Sequence, residues 1–563
     1  MIPEIKDLKE LDALLEKRIK DKKIQTYNDF KKLLDEYSDP ELEKAVNLLY
    51  ENIINKKRII GIHDSDTDGL GTATLSYRFY KNFIPYPIKI VITDRQRGYG
   101  FIPEYIDEYP GDLYFTADNG ITSFDACKKA KELNKQVIIN DHHQPEKEGD
   151  NILLPEADAI FDPWIPGNNF EFKEISGTVV YFIMLWKLLD KFNINRKDDF
   201  FKDSIDLLAL TTLSDVMPLN ISINRFLVKE FIDNHFNESK FEYINLFREN
   251  FNNSPVASDF SFTLVPALNA TQRMSSPIYG FHFLIQEDKE KAQNLMNYLF
   301  SLNDKRKEIQ QQLLEYIEKY YKDWIKNKKF ILIPGKFKKE YDGILGIVAG
   351  RLAEKYKRPA IVCNIKSDGN FAGSGRSIGD IDILSILREI REENEDIFTH
   401  IGGHKQACGI GFKPDKLNEL FLKLQEKAEE IPEEKFRPKK KADFYININQ
   451  IDIYGTDLYY ELLKWEPFGE RFPKPVFKTR AYISNYRIIG KNKNHLTLTI
   501  TDKNNIINLK ALWFFFDQDK IKILDEAIKD KKYIHIIWQP ELDTYGGQEK
   551  LNIRVFDIEL PDQ

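Results

Sequence analysis

Residues 58–73 read RIIGIHDSDTDGLGTA. Ile59, Ile60 and Ile62 make a short β-branched run, too brief for a helix and typical of a strand. His63 follows, then carboxylates at Asp64, Asp66 and Asp68, then Gly69, which frees the backbone to turn. Asp and Thr at this point are good caps for a following helix. The stretch therefore predicts a strand, a turn and a helix, with acids gathered at the carboxyl end of the strand. The same grammar recurs in PIKIVITD (87–94), DLYFTAD (112–118), KQVIIND (135–141) and ADAIFD (157–162), with helical text between the runs. Strands alternating with helices predict βαβ units and a parallel sheet. Ligands in such sheets bind beyond the carboxyl ends of the strands, so the terminal aspartates are expected to face one crevice.

The chain has 563 residues, enough for three or four domains. It carries 82 basic and 89 acidic residues, so a uniformly basic coat for nucleic acid is excluded, although a local groove is not. Three cysteines, Cys127, Cys363 and Cys408, form no CxxC pair, which argues against a disulfide framework and a structural zinc site. No apolar run reaches the ~18 residues of a membrane span, and no secretory signal is present. A reducing cytoplasm is the expected home.

Three carboxylates as close as Asp64, Asp66 and Asp68 repel one another unless a cation sits among them. An EF-hand loop is excluded, because the position of its required glutamate is Leu75. Taken alone, this triplet reads equally well as an acidic turn capping a helix. Further residues weigh against that. Asp118 ends DLYFTAD; Asp141, His142 and His143 end the next run; Asp215 stands in the otherwise apolar LTTLSDVMPL (210–219). Carboxylate and imidazole without thiolate favour Mn²⁺ or Mg²⁺ over zinc. Five or six such ligands suit two ions roughly 3.5–4 Å apart, an arrangement fitted to phosphate-ester hydrolysis.

In chain order the sequence has DSDTDG, GYGF, ADNGIT, DHH, DPWIPGNNFEFKEISGTVV, LTTLSDVMPL, PALNATQRM, GILGIVAGRLAEKY, GSGRSIGDIDI, GGHKQACG and EPFGERFPKPVF. This ordered set resembles the DHH phosphoesterase superfamily and, within it, the RecJ-type exonucleases. The resemblance implies an α/β architecture: a DHH parallel-sheet domain joined by a long helix to a DHH-associated α/β domain, then a C-terminal OB-type β-barrel. The expected divisions are an N-terminal helical segment (1–57), the DHH domain (58–285), the connecting helix (286–328), the DHH-associated domain (329–431) and the OB domain (442–563). An apolar stripe of Ile309, Leu313, Ile317, Tyr320 and Trp324 is expected along the connecting helix.

Carried over by position, the similarity implies metal ligation by Asp64, Asp66, Asp68, Asp118, His142 and Asp215, with Asp118 bridging both ions. Catalytic roles fall to Asp118, Asp141, His142 and His143: His143 lies near the scissile phosphate, and Asp141 orients a histidine ring. Ser374, Arg376, Gly402, Gly403 and His404 are implied to bind the 5′ end of the substrate, helped by Arg273 and Arg95. TDRQRGYGF is one residue shorter than usual, which leaves Arg97 as a competitor for Arg95. His63 stands where a small residue is usual, either an extra ligand or a neighbour. In the barrel, Trp513, Phe514, Phe515, Tyr545, Lys491 and Lys493 are candidates for holding a strand, with at least one residue of 513–516 in the core.

The implied activity is 5′-to-3′ hydrolysis of single-stranded DNA by a two-metal mechanism, in recombination and repair. The implied partners are a helicase and a single-strand DNA-binding protein, with the chain a monomer and no membrane involved. The competing readings are a phosphodiesterase of short oligonucleotides or cyclic dinucleotides, and an inactive DNA-binding scaffold.

Overall fold

A computed structural model describes residues 2–95, 97–149, 151–250, 255–436, 441–490, 493–544 and 547–561. It divides into two units: Met1–Thr93, Arg97–Val265 and Lys440–Gln563 form one, and Asp94–Gln96 and Pro266–Lys439 the other.

In the first unit the five apolar runs become β1 (Ile59–His63), β2 (Lys89–Ile92), β3 (Leu113–Ala117), β4 (Gln136–Asn140) and β5 (Ala159–Phe161). They pair in the order β2-β1-β3-β4-β5, every neighbour parallel. After β1 the chain runs to one side, to β2, and then returns past β1 to β3. The switch point therefore lies between β1 and β3, where Asp64 and Asp118 leave the sheet. Three helices matter for the site. They are α1 (Thr67–Asn82), α2 (Gly177–Lys191) and α3 (Ile205–Ser214), and all three are buried along most of their length.

In the second unit, α4 (Lys289–Lys326) is one continuous helix of 38 residues. Ile309, Leu313 and Ile317 are buried as expected, in one core with Ile331, Val348 and Val362. The stripe then continues through Ile325, not through Tyr320 and Trp324, which are 60% and 46% exposed. Buried positions spaced by four drift around a helix of 3.6 residues per turn, which carries these two rings out of the contact. The sheet of this unit contains β6 (Ile331–Gly335), β7 (Ala360–Ile365), β8 (Phe371–Arg376), β9 (Phe398–His404) and β10 (Ala407–Phe412), in the order β9-β10-β8-β7-β6. Helix α5 (Leu345–Tyr356) packs on β7 and β8.

The C-terminal strands β11 (Phe477–Ile489), β12 (His495–Thr501), β13 (Asn508–Phe514), β14 (Ile534–Asp543) and β15 (Lys550–Glu559) run β11-β12-β13-β15-β14. Pairing of β14 back onto β11 closes them into a five-stranded barrel. The N-terminal segment is helical, with one addition: Glu4–Ile5 pairs in parallel with Phe444–Ile446 at the edge of this sheet. The barrel is fixed to the parallel-sheet domain by Arg225, whose guanidinium donates to the Trp465 and Pro467 carbonyls and lies 4.4 Å over the Phe472 ring. Among the described residues, no helix is long and apolar enough to cross a membrane.

Candidate metal centre

The acids at the strand ends form three linked groups, each with ligand atoms within 4.8 Å of one another: Asp64, Asp66 and Asp118; Asp118, Asp141, His142 and His143; Asp68, His142 and Asp215. Asp118 and His142 each belong to two of them.

Each side chain is held by a local device. Asp66 caps α1: one carboxylate oxygen accepts from the Asp68 and Gly69 amides. A helix cap and a candidate ligand are thus one residue. Asp64 accepts from the Thr93 hydroxyl at 2.9 Å. Asp68 lies at the N-terminus of α2, where the Gly177 amide (2.7 Å), the Thr178 amide (2.9 Å) and the Thr178 hydroxyl (2.6 Å) all donate to its carboxylate. That N-terminus also favours the negative charge. Asp118 takes a left-handed φ of 67° after β3, a conformation that Asp tolerates better than most residues. Asp215 caps the C-terminus of α3. Val216 follows with a left-handed φ of 54°, which costs a β-branched residue about 1–2 kcal/mol.

His142 Nδ1 donates to the Ile175 carbonyl at 2.8 Å, which turns Nε2 into the cluster. There Nε2 lies 3.1 Å from Asp118, 3.6 Å from Asp215 and 3.9 Å from Asp68. It is buried, yet makes no hydrogen bond among the described residues. His143 is held differently. Its Nδ1 donates to Asp141 at 2.7 Å, and its Nε2 faces outward, 3.4 Å from the Tyr99 hydroxyl. Asp141 also accepts from the His142, His143 and Ile121 amides.

The charges strain against one another. Burial pushes Asp68 up to about 7, countered by His142 and reinforced by Asp215. Burial, then Asp68 and Asp66, hold Asp118 well above the usual carboxylate range. Burial alone would depress both imidazoles. Asp215, Asp68 and Asp141 overcome it at His142, and Asp141 overcomes it at His143, leaving each at about 9. Burial opposes ionisation of Asp141 too, but His143 and the amides hold it at about 2. An orphaned buried Nε2 amid carboxylates that resist ionisation is the environment divalent cations relieve, and the oxygen-rich donor set fits Mn²⁺ or Mg²⁺.

The structure places the remaining candidates as follows. His63 is buried in β1, bonded through Nδ1 to Thr72, with Nε2 3.4 Å from Ser76. Burial pushes it down to about 3, and it belongs to none of the three ligand groups. Asp94 and Asp162 are also outside those groups, although burial, then the nearby Asp141, hold the Asp162 carboxyl well above the usual carboxylate range. Arg97 pairs with Glu108 (2.9 Å) and stacks over Tyr105, whereas Arg95 is exposed in the second unit.

In that unit Ser374 and Gly402 flank Gly409 in register, and Arg376 and His404 flank Ala407. Cross-strand partners share a face of the sheet, so these four residues line one face, and Gly403 lies between Gly402 and His404 along their strand. The Arg376 guanidinium lies along α5 where Gly346 leaves room for it. Arg273 donates to the Gly343 carbonyl just before α5. On the barrel, Trp513 and Phe516 are buried, while Phe514 and Phe515 are 40% and 77% exposed. Lys491 and Tyr545 lie outside the described residues, and Lys493 sits in a left-handed turn.

Sequence reasoning assigned no role to Ile175, Gly177, Thr178, Thr93 or His495, whose ring meets both exposed phenylalanines. The Ser176-Gly177-Thr178 cap before an apolar helix was the available signal.

Carboxylates and imidazole converging at the switch point of a parallel sheet define a DHH-type metal-dependent phosphoesterase centre. Family models agree: the DHH family N-terminal domain matches residues 57–212, the DHHA1 domain 333–430, and the RecJ OB domain 442–557. By the content and order of these three domains, the chain is similar to RecJ proteins. It is 27% identical to the single-stranded-DNA-specific exonuclease RecJ of Haemophilus influenzae, over 98% of this chain and 96% of that protein. It is also 27% identical to the Escherichia coli RecJ, over 92% and 90%. Among solved structures, exonuclease RecJ bound to manganese matches with TM-score 0.58 at 27% identity, over 72% of this chain and 98% of that one. Thermus thermophilus RecJ in complex with Mn²⁺ matches in fold with TM-score 0.75 at 23% identity, over 94% and 74%.

Proposed function

We propose that this chain is a single-stranded-DNA-specific 5′-to-3′ exonuclease of DNA recombination and repair, using two Mn²⁺ or Mg²⁺ ions. The observation that carries this reading is the pair of carboxylate groups linked through Asp118 and His142. The similarity to RecJ proteins, which runs along nearly the whole chain, supports it.

In this reading Asp64, Asp66 and Asp118 hold one ion, and Asp68, Asp215 and His142 Nε2 take part in holding the other. Bound there, the ions supply Lewis acidity toward water and neutralise charge on the phosphoryl oxygens. The protein's own groups do the positioning. The Ile175 carbonyl fixes the His142 tautomer, and the end of α2 locks Asp68. Asp141 keeps the His143 imidazole protonated and turned outward, so that its Nε2–H offers a charged donor to a phosphoryl oxygen.

Ser374, Arg376, Gly402, Gly403 and His404, with Arg273 and Arg95, bind the 5′-terminal phosphate. The barrel holds the strand through Phe514 and Phe515. A helicase that exposes single strands and a protein that coats them are the partners such an enzyme requires. The chain works as a cytoplasmic monomer.

The test uses one deoxyoligonucleotide labelled at either end, incubated with the chain and Mn²⁺. The 5′ label leaves first as a mononucleotide, while the 3′ label stays on a shortening strand. Release from the 3′ end first, or no release, overturns the proposal.

A further inference from the structure

Val216 has no part in the chemistry described so far. It follows the cap of α3, where Val216 N–H reaches the Leu213 carbonyl (3.4 Å) and Met217 N–H the Thr212 carbonyl (3.0 Å). This is the helix-ending turn whose left-handed position normally belongs to glycine. Valine occupies it at φ 54°, although glycine would close the same turn without strain. The side chain is not there for the core, because it is 61% exposed. It is also one residue from Asp215, whose carboxylate reaches to 3.6 Å from His142 Nε2. A rigid, apolar, uncovered isopropyl group thus stands one residue along the chain from Asp215 of the metal centre, held against its backbone preference.

We propose that Val216 packs against the sugar beside the scissile phosphate and selects deoxyribose over ribose; this rests on the nuclease reading above. An isopropyl group offers nothing to a phosphate, which needs donors or cations. The groups bonded directly to the scissile phosphate are the two flanking sugars, so these are what a side chain next to Asp215 meets. The C2′ methylene of deoxyribose suits an apolar neighbour. A 2′-hydroxyl pressed against the same methyls loses its water and gains no partner.

The experiment compares the wild-type full chain with Val216→Gly and Val216→Asn, both at home in the left-handed region. With Mn²⁺ present, kcat/KM is measured on an all-deoxy strand and on the same strand carrying ribose at its two 5′-terminal nucleotides. Both variants are expected to melt no lower than wild type. Their preference for the deoxy strand should fall by roughly tenfold, chiefly through a higher kcat/KM on the ribose-bearing strand. An unchanged preference, or an equal loss on both strands, overturns the proposal while the nuclease reading stands. A wild-type chain that releases nothing from the deoxy strand overturns both.

Discussion

Gly177→Ala tests whether the metal centre depends on the fit between the end of α2 and the end of β3. A Cβ at Gly177 would lie 2.6 Å from both Cβ and Oδ1 of Asp118 and 2.9 Å from its Cα. Carbon atoms that do not share a bond rest about 3.5–4.0 Å apart, so the two segments must separate by roughly 1 Å. Neither has slack elsewhere. Gly177 N–H is bonded to Asp68 at 2.7 Å, and the buried helix behind it cannot slide. Asp118 is fixed by the hydrogen bond its N–H donates to the Asn140 carbonyl and by its left-handed turn. The displacement therefore falls on Asp68 and Asp118 themselves.

A misplacement of about 1 Å at reacting groups costs on the order of a hundredfold in rate. The stability effect is smaller: overpacking costs about 1–3 kcal/mol, and alanine recovers up to about 1 kcal/mol of helix propensity. The assay pairs Mn²⁺-dependent nucleotide release with thermal melting. A kcat reduced by about two orders of magnitude, with melting lowered by only a few degrees, is expected. Gly350→Ala calibrates the change: its Cβ would meet only the Arg376 Cγ at 3.7 Å, so it should stabilise by about 0.5–1 kcal/mol. A Gly177→Ala enzyme within about threefold of the wild-type rate would refute the claim that this contact positions the ligands.

Asp118→Asn keeps a residue that accepts a positive φ and removes a carboxylate that Asp68 and Asp66 repel. The metal-free protein should melt higher while activity falls by more than the roughly 10–100-fold that a lost buttress costs; normal activity contradicts the ligand assignment. Removing metal should matter more as pH rises. Asp68 binds its proton more tightly folded, at about 7 against 3.8, as do the two histidines, at about 9 against 6.5. Each such group loses its stabilisation as pH climbs through the folded value, so the melting gap between Mn²⁺-loaded and chelated protein should widen; a constant gap argues against cations at these residues. Phe515→Ala should weaken single-strand binding by about 1–3 kcal/mol in an anisotropy titration without unfolding the barrel. Trp513→Ala, at a side chain 4% exposed, should instead cost about 3–5 kcal/mol of stability.

The parallel sheet was legible because each strand is a short apolar run between helical stretches, and burial on both faces leaves such runs little else to be. The clustering of acids and imidazoles was legible because three carboxylates and a histidine pair at the ends of neighbouring parallel strands converge on one crevice. What stayed hidden lies in residues that act by shape or through the backbone. Gly177 contributes an amide and the absence of a side chain; Ile175 contributes a carbonyl. Neither use leaves a mark on residue type. Tyr320 and Trp324 were misread for a related reason: a spacing of three and four fits the early turns of α4, but only packing reveals that its buried face drifts to Ile325.

The site also shows why a residue-by-residue choice between structural and functional readings fails here. Asp66 is a helix cap whose carboxylate also belongs to a ligand group. Asp215 ends α3 and faces His142. Asp118 ends β3 in a left-handed turn and links two ligand groups. Caps and strand ends are where a chain must place polar atoms anyway, and at the switch point of a parallel sheet those places converge. The fold thus gathers the carboxylates at little extra cost. The departures from ordinary backbone preference at the centre, the left-handed Asp118 and Val216, are the positions where function asks for more than the fold supplies.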